Sequence, residues 1–174
     1  MNVFVLSRNV RTCARLHCDQ HVVKMPLETA QLLSTALALN DPARWAELQA
    51  QGLAYKPTHR QHPSALWARE CINNYLWLCR LGLELCAEYA FRFSPQEPGK
   101  PPKRHACERV IAALRAQAPA LPDKRVITPF PLVMPEEYRL PGDPVGSYRA
   151  YYAADKAAFA RYSRRERPEW MPAV

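Results

Sequence analysis

The chain has 174 residues, enough for one domain with a substantial core. Its 24 Lys and Arg against 16 Asp and Glu leave a net charge of +8, which attracts polyanions at long range and favours nucleic acid over anionic lipid as partner. No run approaches the roughly 20 apolar residues of a membrane span, and the start, "MNVFVLSRNVR", is too short an apolar run for a secretory signal, so a cytoplasmic protein with no membrane partner is expected.

Residues 2–6, "NVFVL", alternate β-branched and bulky side chains and allow one short strand. A long helical tract then runs to about Leu39, where "NDPARW" breaks it, and a short helix is expected around 42–51, ended by Gly52. The loop "YKPTHRQHP" (55–63) leads to a strong helix that Pro63 opens in its first turn and that should end near Phe93. "SPQEPGKPPK" (94–103) reads as a surface loop and 105–117 as another amphipathic helix. Seven prolines between 119 and 144 make that span irregular backbone, though its middle, "TPFPLVMPEEY", is too apolar for a free linker. A last helix over about 145–163 precedes the basic end "RRERPEW". The sum is an all-α, single-domain helical bundle over 1–174 with that optional N-terminal strand and a long Pro-rich irregular segment. The six cysteines, Cys13, Cys18, Cys71, Cys79, Cys86 and Cys107, contain no CxxC pair and read as reduced core thiols rather than metal ligands.

The first long helix, in "CDQHVVKMPLETAQLL" (18–33), carries an unusual polar line. At 100° per residue, His21, Lys24, Glu28, Gln31 and Thr35 fall within roughly 80° of arc, while apolar residues occupy most of the rest. A stripe this narrow suits a buried helix that faces a cleft, where a Glu beside Lys and His has the ingredients of a tuned general acid or base. The bland alternative is a solvated stripe with a Lys24–Glu28 pair contributing only a few tenths of a kcal/mol. Pro26 removes one hydrogen bond within the helix on either account.

His59, Arg60 and His62 precede the helix opened by Pro63, and with free backbone N–H groups they outline a phosphate site. They could equally be loop residues making ordinary hydrogen bonds. A zinc site with a distant Cys lacks any compact four-ligand spacing. Beyond them stand Trp67, Arg69, Asn74 and Tyr75, of which Asn74 either reads a base edge or bonds to backbone. In the last helix and the basic end, Arg149, Lys156, Arg161, Arg164, Arg165 and Arg167 interleave with tyrosines, a combination that holds phosphates and stacks bases unless the tyrosines are simply core. With five glycines in the chain, no Gly-rich phosphate loop, dinucleotide fingerprint, HExxH or GxSxG is present, and no cofactor or metal is called for.

"CDQHVVKMPLE" resembles the opening helix of the phage pyrimidine-dimer DNA glycosylases, small all-helical enzymes with Asp-Gln-His followed seven residues later by a catalytic Glu; Asp19, Gln20, His21 and Glu28 match. The chain departs from that family where Asn2, a residue bulky enough to disfavour Met removal, follows the initiator, and where Leu27 and Gln31 replace flanking arginines. The wider pattern, with "YKPTHRQHPSALWAR", "TPFPLVMPEEY" and "SYRAYYAADK", is similar to a phage group proposed to be amino-acid:DNA transferases of thymidine hypermodification. That resemblance implies a bacteriophage enzyme of the infected host's cytoplasm that transfers the amine of a free amino acid onto a phosphorylated 5-hydroxymethyluracil in DNA. Its expected catalytic set is His21, Lys24, Glu28, His59 and His62, with Asp19, Gln31, Arg60, Trp67, Arg69, Asn74 and Tyr75 around a flipped base. A glycosylase with lyase activity and a non-catalytic DNA-binding module are the alternatives.

Overall fold

The computed structural model describes residues 1–173. Seven α-helices carry the fold: α1 (Val10–Leu16), α2 (Asp19–Asn40), α3 (Pro42–Ala50), α4 (Pro63–Ala68), α5 (Ile72–Phe93), α6 (Cys107–Ala116) and α7 (Pro144–Lys156), with a 3₁₀ turn at Glu136–Tyr138. Local chemistry sets several starts. Asn9, Asp41 and Asp143 cap α1, α3 and α7 with side-chain oxygens, and proline fills the first turn of α3, α4 and α7. Helices α2 and α5, each 22 residues long, pack together at the centre, and α2 also meets α3, α4 and α6 while α1 lies along α5. One continuous core joins them; the six free cysteines are all buried, five of them in that core and Cys71 beside it at the start of α5.

The all-α expectation holds, with three local differences. No strand forms among the described residues. Residues 3–6 form no regular element, the Leu6 N–H turning back to Phe4 O (3.1 Å), and Val3, Phe4, Val5 and Leu6 are all at most 6% exposed; they pass through the core and pair with no neighbour strand among the described residues. The helix expected from Pro63 to Phe93 is split at residues 69–71, where Arg69 ends α4 and extended Cys71 starts α5. Asn74 Nδ2 donates across the bend to the Trp67 carbonyl (2.9 Å) and the Ile72 N–H donates to the Pro122 carbonyl (3.0 Å), so the bend is held by side-chain and strap contacts rather than by a proline or glycine. The last helix stops at Lys156 rather than near Ser163. The chain beyond it is fastened to the start of α2 and to its own end: Asp19 N–H donates to Arg161 O (2.8 Å), Gln20 to Phe159 O (2.9 Å) and Arg167 to Ala160 O (2.9 Å).

The Pro-rich segment drapes over the core and is tied to it. Phe130 inserts against Trp67 and Trp77, at 5.1 and 4.9 Å between ring centroids. Thr128 exchanges bonds with Asn74 (2.7 and 3.0 Å) and donates to Glu70 (2.8 Å). This strap carries Val133 to the N-terminal residues, where Asn2 Nδ2 donates to its carbonyl (2.8 Å).

Gly82 lets α5 approach α2 and α6 closely: a Cβ there would lie 2.7 Å from Thr29 Cγ2 and 2.9 Å from Ile111 Cδ1. Alanine is the better helix former by ~1 kcal/mol, yet the stiff Thr29 cannot yield without moving α2, and overpacking costs about 1–3 kcal/mol. Gly82→Ala should therefore lower the urea unfolding midpoint; an unchanged or higher midpoint would show that the three helices are loosely fitted here.

Candidate active site

Glu28 sits on the α2 face turned to the N-terminal segment, and its residue is 9% exposed. Its Oε2 accepts the backbone N–H of Asn2 (2.8 Å), and its Oε1 lies 3.2 Å from Lys24 Nζ, one turn earlier and mostly in solvent. The carboxylate opens onto a cleft of about 280 Å³. Met1, Asn2 and Phe4 supply one wall, His21, Lys24 and Glu28 another, and Val133, Tyr151 and Lys156 close it from the Pro-rich strap and α7. Lys156 pairs with Asp155 and lies 5.2 Å from the centroid of Tyr151. A nearly buried anion is thus flanked by two cations at a concave surface, the arrangement in which a carboxylate can accept a proton and lysines can hold a departing anion. A wider hollow of about 660 Å³ near Tyr55 and the start of α6 is lined by Arg104, Glu108 and Arg109 and has no buried acid or base facing it.

His21, 7% exposed, is stacked on Phe4 (4.7 Å between centroids, 14° between planes) and places Nδ1 2.8 Å from Tyr152 Oη. The same hydroxyl accepts the Cys18 N–H at the start of α2 (2.8 Å). Burial, reinforced by His17, Lys156 and Lys24, pushes the His21 pKa down to about 3. His17 is buried behind it with Nδ1 on the Cys13 carbonyl (2.8 Å), and burial pushes its pKa down to about 4.

Thr35, the last residue of the polar line, accepts the Thr58 N–H (3.0 Å), with its hydroxyl 2.8 Å from Gln31 O and 3.1 Å from Thr58 O, which anchors the histidine loop to α2. His59 is exposed, in the left-handed region at φ 49°, with Nδ1 2.7 Å from Thr58 Oγ1. His62 caps α4 by accepting the Ser64 N–H (3.2 Å). Its pKa is lowered by partial burial, then by the N-terminal amine and His59, with Glu28 opposing. Arg60 is exposed, and Gln31 is half-buried with no side-chain hydrogen bond among the described residues. None of His59, Arg60 and His62 lines the cleft itself.

Several other expected ligand contacts are structural. Trp67, Asn74 and Tyr75 are buried, and their polar atoms go to Thr128 O, to Trp67 O with Thr128, and to Leu114 O. Arg69 donates to the Arg60 and Ala65 carbonyls. Asp19 accepts from Arg92 (2.9 Å) and from Ser163. Among the basic residues, Arg149 is spent on Leu6 O, Arg165 on both oxygens of Glu88, and Arg167 on three carbonyls. Arg164 bonds to Phe91 O, whereas Arg161 is exposed and makes no side-chain bond among the described residues. Lys156 alone of that set reaches the cleft. Asn2, Phe4, Tyr151 and Tyr152 complete the site although none was expected in it; the two tyrosines lie in "SYRAYYAADK", where the i, i+3, i+4 spacing of Tyr148, Tyr151 and Tyr152 signals one helix face.

Among the described residues no group of three or more His, Cys, Asp or Glu could hold a metal ion, and no helix is long and apolar enough to cross a membrane. Comparison with protein-family models, with curated proteins and with solved structures returns no match to this chain. Fold and site together define an all-helical protein with a cleft built on one carboxylate, two lysines and a neutral histidine.

Two outcomes follow from these contacts. Unfolded histidines gain a proton near pH 6.5, while His17 and His21 refuse it until about pH 4 and 3. Stability is therefore full above pH 6.5 and falls as pH drops, by about 1.4 kcal/mol per histidine for each pH unit. Urea midpoints should decline steadily between pH 6.5 and 4.5, and a flat profile would mean that these rings ionise in place. Separately, Arg92, whose side chain is fully buried between Glu88 and Asp19, should cost about 3–5 kcal/mol when replaced by Met, because Asp19 loses its arginine and Glu88 one of its two; thermal unfolding would measure it.

Proposed function

We propose that the protein is a DNA-modifying transferase that moves the amine of a free amino acid onto a phosphorylated 5-hydroxymethyluracil in DNA, as a bacteriophage enzyme of thymidine hypermodification. The observation that carries this reading is the Glu28 carboxylate, nearly buried, pinned by the Asn2 N–H and flanked in its cleft by Lys24 and Lys156. With the base flipped into the cleft, the amine nitrogen attacks the methylene carbon at C5. A C–N bond forms, the C–O bond to phosphate breaks, and the phosphate leaves against the two lysines. Glu28 takes the amine proton. His21 does not compete for it, since its Nδ1 is bonded to Tyr152. His59, Arg60 and His62, held next to α2 through Thr58 and Thr35, add positive or polar character for the flanking phosphates.

A second reading is favoured by one distance. The Asn2 nitrogen lies 2.8 Å from Glu28 Oε2, so removal of Met1 would leave an α-amine beside the acid, the pairing used by the pyrimidine-dimer glycosylases that the first helix resembles.

The test is incubation with DNA bearing phosphorylated 5-hydroxymethyluracil and a pool of amino acids, followed by mass analysis of nucleosides. A new amino-acylated nucleoside is expected, reduced about 10²–10⁴-fold in Glu28→Gln with DNA binding retained. A borohydride-trapped adduct and nicking of ultraviolet-damaged DNA by protein lacking Met1, without a new nucleoside, would select the glycosylase. Binding with neither product would leave a non-catalytic DNA-binding module.

A further inference from the structure

Tyr152 Oη is fully buried and has two hydrogen-bond partners, the Cys18 N–H and His21 Nδ1, both at 2.8 Å. The amide can only donate, so the hydroxyl accepts from Cys18. Its own single proton must then go to His21 Nδ1 or remain unbonded in the core, and buried donors are rarely left so. The Cys18 thiol also lies beside the hydroxyl, but sulfur is a weak acceptor next to an imidazole nitrogen at hydrogen-bond distance. With Nδ1 accepting and the ring neutral, the proton of the imidazole resides on Nε2. Stacking on Phe4 fixes the ring plane, and the edges of Tyr152 and Phe159 flank it at 5.1 and 6.1 Å. Nδ1 faces the buried hydroxyl, so the ring edge that lines the cleft carries Nε2–H, which has no partner among the described residues.

We propose that His21 is a fixed hydrogen-bond donor, locked in the Nε2–H tautomer by Tyr152, and that it reads the O4 oxygen of a uracil-type ring in the cleft. This rests on the pyrimidine reading of the site given above. Among pyrimidines, uracil and thymine present an acceptor at position 4, whereas cytosine presents an amino donor there. A donor that cannot change its tautomer meets O4 with a bond and the cytosine amine with two opposed N–H groups. O4 neighbours the C5 substituent, so the contact would also hold the reacting methylene towards Glu28 and the lysines. Tyr152 is the positioning residue, and His21 the specificity-determining one.

Two measurements test it. In ¹⁵N NMR of the full chain at neutral pH, His21 should show an unprotonated Nδ1 and a protonated Nε2, and Tyr152→Phe should convert this into a mixture of tautomers. A protonated Nδ1 or an imidazolium in the wild-type protein would overturn the lock. In binding assays, single-stranded oligonucleotides carrying one 5-hydroxymethyluracil should bind about ten- to a hundredfold tighter than those carrying one 5-hydroxymethylcytosine, the range of one base-edge contact. His21→Gln, whose amide can turn either its N–H or its oxygen to the ligand, should bring the two within a few-fold. A wild-type preference that survives His21→Gln overturns the base-reading role alone. If the wild-type protein binds neither oligonucleotide, the pyrimidine reading falls and takes the O4 contact with it, while the NMR result still decides the tautomer.

Discussion

Residues 3–6 cross the core of a helical protein with no strand among the described residues to pair with, so their backbone polar groups depend on side chains and on local contacts. Asn2 N–H goes to Glu28, Leu6 O receives Arg149, and Phe4 O receives the Cys13 thiol and the Leu6 N–H. These bonds join the N-terminal segment to α2, α7 and α1 at once. The Asn2 side chain adds Val133 of the Pro-rich strap and Tyr148 of α7. The cleft exists because this segment is wedged there: one wall is the segment itself, and the carboxylate on the opposite wall is oriented by its first free amide.

Helix α2 buries polar side chains among its apolar ones, Val22, Met25, Leu32 and Leu33, and leaves other apolar ones outside. Val23 and Leu27 are 46% and 40% exposed, while His21 and Glu28 are buried. In an ordinary surface helix hydrophobic burial would place these residues the other way round. Here three of the buried polar residues have defined partners: Tyr152 for His21, Asn2 for Glu28, Thr58 for Thr35. Satisfied polar groups can be buried at modest cost, whereas unsatisfied ones cannot. Pro26 sits within this helix without ending it, and His105 Nε2 bonds the nearby Val23 carbonyl (2.9 Å).

Much of the basic character that suggests nucleic acid is spent internally near the C-terminus. Glu88 binds Arg92 and Arg165 together, Arg92 also reaches Asp19, and Arg165 lies 4.0 Å from the centroid of Phe91. These arginines fasten the chain after α7 onto α5 and the start of α2, which in turn brings Phe159 to the edge of His21. A count of arginines along a sequence does not distinguish a guanidinium committed to a buried carboxylate from one left free for phosphate, because the deciding contact can lie far along the chain, as in Arg165 with Glu88, 77 apart.

The sequence by itself determined what depends on near neighbours: the helical class, from 3.6-residue periodicity; the starts of α3, α4 and α7, from proline and capping side chains; the apolar anchoring of "TPFPLVMPEEY"; and the alignment of His21, Lys24, Glu28 and Thr35 on one helix face. Tertiary structure alone decided that residues 3–6 would be a core-crossing segment instead of a strand, that Asn74 would hold a helix bend instead of facing a ligand, and that Tyr152 and Asn2 would be the partners of His21 and Glu28. The physical reason is range. Propensity and amphipathic spacing act over a few residues, whereas a buried polar group is satisfied by whichever side chain the packed helices bring to it, here from 26 to 131 positions away.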